Sequence, residues 1–434
     1  MSEPSNSAGK AHTRSRSFHP GHHPFHELLL QASSIKGPLS FLNPTHAVSE
    51  LLSTAHTRKG PFESAQAAED VRAHERRVKG EVAFKWRSRD NRKGRHMLVV
   101  TPAEDRRKGA YIVPRRTNSL RSTLVGILRM ANTFPYWDVS YLTAIIFTFG
   151  SVIWVLNSFF VWLPLVDPST EFKNEILSAG GITAFVGATI FEFGSFFLIL
   201  EAINKHSTGC FGWALERVVT GAGEELLRFY PDQNACSHHH ANQKNLAGRG
   251  IPKETIRKSG ILTIEGKESP AFQWVPSLKE VRTHYIFELG FLASAAQLIG
   301  ATVFWISGFT ALPGINNHLS QPLADGVYRA PQIIGGCGFI VSGALFMLET
   351  QPNWYTPALD TLGWHIGFWN FIGAIGFTLS GIFLLPYNSS GMQYQASLST
   401  FWGSWAFLIG SVIQWYESLD KYPVEQRSPS KPES

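Results

Sequence analysis

The stretch from Gly187 to Glu201 reads GATIFEFGSFFLILE, and its pattern recurs as GGCGFIVSGALFMLE from Gly335 to Glu349 and as GSWAFLIGSVIQWYE from Gly403 to Glu417. Each copy places a small residue at its start and at +7, an aromatic at +4, and a Glu at +14. Seven residues is close to two helical turns, so Gly187, Gly194 and Glu201 share one helix face. So do Gly335, Ser342 and Glu349, and likewise Gly403, Gly410 and Glu417. A shorter form, glycine with an aromatic at +4, occurs in three further segments: Gly150 with Trp154, Gly300 with Phe304, and Gly373 with Phe377. These three run on to Pro164, Pro313 and Pro386 instead of a Glu.

All six copies lie in apolar runs, at about 139–163, 180–201, 286–310, 331–349, 362–385 and 398–416. A helix needs roughly 20 apolar residues to cross a hydrocarbon core about 30 Å thick. The pattern therefore predicts an all-α membrane protein of six transmembrane helices, built as three repeated hairpins over 138–204, 285–351 and 360–418. Parallel repeats of this kind are expected to be related by an axis along the membrane normal. Small residues on one face let helix backbones approach closely in lipid. Phe191, Phe339, Phe407 and their counterparts at +4 lie one turn along, beside that seam.

Against these spans the whole-chain averages are misleading. The 434 residues carry a net charge of +6 and a mean hydropathy of −0.05. Residues 1–137, however, hold 23 of the 39 Lys and Arg against 11 acidic residues. Lys and Arg also populate the 203–284 segment, 11 in all, and the tail after residue 417, while the other connections hold at most one each. By the positive-inside rule both termini and that segment are cytoplasmic, in the plasma membrane or an endomembrane. The expected domains are a disordered tail at 1–80, a basic juxtamembrane region at 81–137, the transmembrane domain at 138–420 with a cytoplasmic loop at 205–284, and a disordered tail at 421–434. Within the juxtamembrane region, short strands are expected between Val82 and Pro114. Residues 117–132 make a basic amphipathic helix suited to anionic lipid headgroups; nucleic acid is not the expected partner.

Ionisable residues inside spans are functional candidates by default. Glu192, Glu288, Gln297, His365 and Asn370 are read either as a network of satisfied polar contacts or as a transport path. Glu201, Glu349 and Glu417 end their helices where the dipole disfavours an anion. They are either solvated at the interface or paired with basic cytoplasmic residues or a cation. Cys210, Cys236, His238 and His240 are donors of the type zinc takes. Their spacing is unlike a zinc finger, so no cofactor is the primary expectation and Zn the alternative. Asn388-Ser-Ser is a glycosylation sequon on an expected outer loop. Three cysteines exclude a disulfide scaffold, and the chain has no phosphate loop or hydrolase elbow.

The repeat, with Phe149-Gly-Ser-Val-Ile-Trp154 and the stretch Trp402 to Ser411, resembles a family of fungal multi-pass integral membrane proteins, and the hairpin is similar to the two-span YrhK-like domain. The resemblance covers 138–420; it implies a fungal multi-pass membrane protein, carries over no catalytic residue and leaves the function open. Three functions compete: a non-enzymatic membrane anchor or organiser binding lipid or partners, which is preferred; a small-molecule or ion transporter or channel; and a metal-dependent membrane enzyme.

Overall fold

The computed structural model describes residues 29–30, 36–50, 75–102, 110–204, 212–219, 225–232, 273–386 and 389–426. Six of its helices are long and apolar enough to cross a membrane. They are α3 (Val139–Val166), α4 (Gly181–Ile203), α6 (Leu289–Thr310), α7 (Ala330–Thr350), α8 (Leu362–Phe383) and α9 (Ser390–Leu419). Chain neighbours pack side by side, and α9 closes back on α3, so the six form a ring. α3 runs on through Pro164 to Val166, past the expected stop. Single wider turns, Glu175–Gly180 and Asp325–Arg329, lead into α4 and α7.

Glycine decides how closely the helices meet. A Cβ on Gly335 would lie 2.6 Å from the Gly300 carbonyl oxygen, and one on Gly338 2.7 Å from the Gly300 Cα. α6 and α7 therefore touch backbone to backbone. Gly373 and Gly403 meet in the same manner. In the first pair, Gly150 accommodates the Phe191 ring and Gly187 the Trp154 indole.

On the domain side, facing the amino ends of α3, α6 and α8, stands a mixed sheet. Its strands are β1 (Leu29–Leu30), β2 (His46–Glu50), β3 (Glu75–Arg87), β4 (Met97–Pro102), β5 (Ala110–Pro114), β6 (Gly212–Val219), β7 (Glu225–Asp232) and β8 (Val424–Gln426). The order is β1-β2-β3-β5-β7-β6, with β4 on β3 and β8 parallel to β4. Three distant parts of the chain thus share one sheet. Three expectations are corrected here. Residues 36–50, placed in a disordered tail, include β2, which β3 orders by a full antiparallel ladder. The tail after 420 is ordered through Gln426, because β4 offers it a free edge. β3 is also a 13-residue strand, not a short one.

Two further helices lie outside the ring. α2 (Leu120–Asn132) is capped by Ser119, whose Oγ accepts from the Ser122 amide, and it buries none of its residues. α5 (Leu278–Thr283) begins at a capping box formed by Ser277 and Glu280.

Candidate functional site

Between β3 and β4 the chain reads Ser88-Arg-Asp-Asn-Arg-Lys-Gly-Arg-His96. Ser88–Arg92 forms α1, one and a half turns long. Gly94 follows with φ 62°, the left-handed conformation that favours glycine after a helix end. That reversal turns the chain so that Arg95 N–H donates to the Asp90 carbonyl at 2.8 Å. The hairpin tip, carrying four cations in seven residues, projects into the mouth of the helix ring.

There it meets the three repeated glutamates. Glu201, Glu349 and Glu417 are 0%, 0% and 1% exposed, which corrects the reading of solvated interfacial carboxylates. Arg89 grips Glu417 with two parallel bonds, Nε to Oε1 at 3.2 Å and Nη2 to Oε2 at 2.8 Å. Arg92 spans two helices, donating Nη1 to Glu201 and Nη2 to Glu349 Oε2 at 2.7 Å. Lys93 Nζ lies 3.5 Å from Glu201 Oε2 and 3.9 Å from Glu417 Oε2. Arg95 reaches Asp90 at 2.8 Å and Glu417 at 3.2 Å. Four cations therefore face four carboxylates, counting Asp90, and Asp420 joins Arg95 at the rim.

Balance of this kind is what a buried site requires, because an unpaired charge out of water costs several kcal/mol. The carboxylate field offsets burial for Arg92 and Arg95, whose guanidinium pKa values are raised. For Lys93, burial wins over Glu201, and the neighbouring Arg89 adds to it, so its ammonium is pushed down to about 8.

The amino ends of the other three helices make room for the tip. Gly290 abuts Arg92 and Gly363 abuts Arg89, and a side chain at either would collide with the guanidinium. Ser140, at the matching place on α3, accepts from Lys93 at 3.5 Å. Each of the three stands ten residues before the glycine of its own span. That spacing is visible in the sequence, but without the tip it has no meaning. The basic tip itself is the part of this candidate site that sequence reasoning missed. Its signal was a density of charge inside a hydrophobic hairpin, which reads equally well as an exposed turn.

Beyond the charges, the axis is filled by rings. The six aromatics at +4 form one buried cluster, on the axis of the ring rather than in a groove beside the seam. Trp154, Phe304 and Phe377 make one triangle, with centroids 4.8 to 5.6 Å apart. Phe191, Phe339 and Phe407 make a second layer, Phe407 lying 5.4 and 6.3 Å from the other two. The layers touch through Phe304–Phe339 at 5.6 Å and Phe377–Phe407 at 5.4 Å. These are the offset and edge-on distances that aromatic pairs prefer.

The double layer separates two cavities. On the domain side a space of about 30 Å³, room for about two waters, is bounded by Gln297, Asn370, Gln414, Ser342 and the tip cations. On the far side a cavity of about 430 Å³ rests on Trp154, Phe304 and Phe377. Its wall includes Asn157, Ser307 and Ser380, each seven residues after its span's glycine, and Gln332 and Thr400, each three before theirs.

The other sequence candidates are dispersed. Glu192 lies on the α4–α6 seam and accepts from Thr302 at 2.9 Å, away from both cavities. His365 bonds the Leu359 carbonyl at 2.9 Å, near the domain side. Glu288 pairs with His284 at 3.0 Å. Gln297 and Asn370 line the domain-side cavity, whereas Glu192 and His365 line neither of these two cavities. Cys210, Cys236, His238, His240 and Asn388 lie outside the described residues. Among the described residues no cluster of potential metal ligands occurs. No protein family, curated protein or solved structure matches this chain, so its reading rests on the six membrane-crossing helices and the geometry of the site.

Proposed function

We propose that the protein is a non-enzymatic membrane organiser: a sealed transmembrane body, made of three copies of one hairpin about a pseudo-threefold axis, that holds a cytoplasmic sheet domain against the bilayer. The observation that carries it is the insertion of Arg89, Arg92 and Lys93 among Glu201, Glu349 and Glu417. A buried, charge-balanced lock fixes the domain in one register. Specificity of placement is the best-attested use of such networks, since their net contribution to stability is small.

The double aromatic layer supports a body that conducts nothing. The basic bias of the three segments that build the sheet supports the cytoplasmic orientation. α2 supports contact with anionic lipid: Leu120, Leu124, Ile127 and Leu128 are exposed on a helix that also bears Arg121 and Arg129. It is tied to the end of α9 by Arg129, which donates to the Leu419 carbonyl at 3.1 Å. Its apolar side is then positioned for the acyl boundary.

The 430 Å³ cavity favours a second reading, a transporter held open to the far side. Reconstituted full-length protein separates the two. The organiser reading expects no ion or solute flux in vesicles, and expects Arg92→Met to loosen the tip, with faster amide exchange at residues 88–96. Flux above that of empty vesicles would overturn it.

A further inference from the structure

We infer that the far-side cavity is a binding site for a neutral, polyhydroxylated small molecule of sugar size. The cavity, about 430 Å³, lies in the range of about 300–1,000 Å³ typical of small-molecule sites. Its floor is the aromatic triangle of Trp154, Phe304 and Phe377, a surface suited to the C–H face of a sugar ring. Its wall is neutral and rich in hydrogen-bonding groups.

The state of those groups narrows the ligand. Asn157 commits its amide N–H bonds to the frame, to the Gly180 carbonyl at 2.6 Å and Thr183 Oγ1 at 2.9 Å, leaving its carbonyl oxygen as an acceptor. Gln332 likewise donates to the Phe377 carbonyl at 3.3 Å. Ser307, 3% exposed, adds a hydroxyl to the same wall. Two acceptors and a hydroxyl converging above aromatic rings match a ligand that carries several O–H donors. A sterol, with one hydroxyl, would leave most of them unpartnered, at a cost for each.

Charge excludes the remaining classes. No Lys or Arg lines the cavity, so an anionic ligand has no counter-charge. The sole carboxylate in the lining, Glu171, is an exposed loop residue. The inference goes beyond the organiser reading and is independent of it: flux tests one, and equilibrium binding tests the other.

The experiment is calorimetric titration of full-length protein in nanodiscs with methyl glucoside, trehalose and sorbitol, and separately with choline. Saturable binding of at least one neutral compound is expected. Ser307→Phe, which fills the cavity, and Gln332→Leu, which removes an acceptor, should each weaken it tenfold or more while the variants melt near the parent. Should Ser307→Phe not fold, Gln332→Leu alone carries the comparison. Absence of binding by all three neutral compounds, binding unchanged in a folded variant, or binding of choline alone would each overturn the proposal.

Discussion

Lys93 carries a weakly held charge. It is 1% exposed, its ammonium is held by Glu201 and Glu417 at 3.5 Å or more, and its pKa falls to about 8. In the unfolded chain the same group titrates near its ordinary value of 10.5. Between pH 8 and 10.5 the unfolded state therefore binds more protons than the folded one, and stability rises with pH across that window. Below pH 8 both states are protonated, so the burial penalty is present in full. The expected outcome is that thermal stability of the detergent-solubilised protein gains a rising component between pH 8 and 10, absent from Lys93→Met. An identical pH profile in the two proteins would show that Lys93 is ordinarily solvated. At this scale the Glu residues were legible as three equivalent carboxylates in an unfavourable dipole position. Their partners were not, because Arg89, Arg92 and Lys93 are more than 100 residues from them in the chain.

Among the elements, α6 and α7 meet backbone to backbone where Gly300, Gly335 and Gly338 coincide. The sequence pattern indicated a small-residue seam, and the contact matches the physics of helix association in lipid, where close backbone approach replaces the hydrophobic drive. A valine at Gly335 must push the Gly300 carbonyl aside, since that atom belongs to a helix and cannot rotate away. Gly335→Val is expected to destabilise by about 1–3 kcal/mol through overpacking, read as a lower melting temperature, whereas Gly326→Val, with nothing within 4 Å of its Cβ position, should be neutral. Equal effects at both sites would remove close packing as the reason for the motif. The hairpin tip was the element least legible. Helix α1 is only five residues long, too short for periodicity to reveal, and its residues are polar. They are buried because carboxylates await them.

The whole molecule is joined by chain segments that the sequence places far apart. The tail after α9 returns to the sheet: His96 N–H donates to the Lys421 carbonyl at 2.9 Å, and Leu98 N–H to the Pro423 carbonyl at 3.0 Å. Lys421 also bonds Asp138 at 2.5 Å and the Lys93 carbonyl at 2.8 Å, linking α3, the tip and the tail. Truncation after Leu419 should therefore loosen the tip as well as the edge strand. Amide exchange at His96 and Leu98 is expected to accelerate at least tenfold, with the helices of the ring still protected. Unchanged exchange there would mean that the tip is held by the glutamates alone.

The sequence by itself determined the six spans and the face on which each small residue lies, because hydropathy and helical period are local properties that lipid reads directly. It also located the three glutamates and six aromatics as sets of equivalent positions. Only the tertiary structure decided that the aromatics meet on the axis in two layers, that the glutamates are buried, and that a basic hairpin tip neutralises them. It also put Gln297 on the domain-side cavity and Glu192 on the α4–α6 seam. Those outcomes depend on ring closure between α9 and α3 and on sheet pairing across hundreds of residues. No local pattern encodes such contacts, since a charged turn looks the same whether water or a ring of carboxylates receives it.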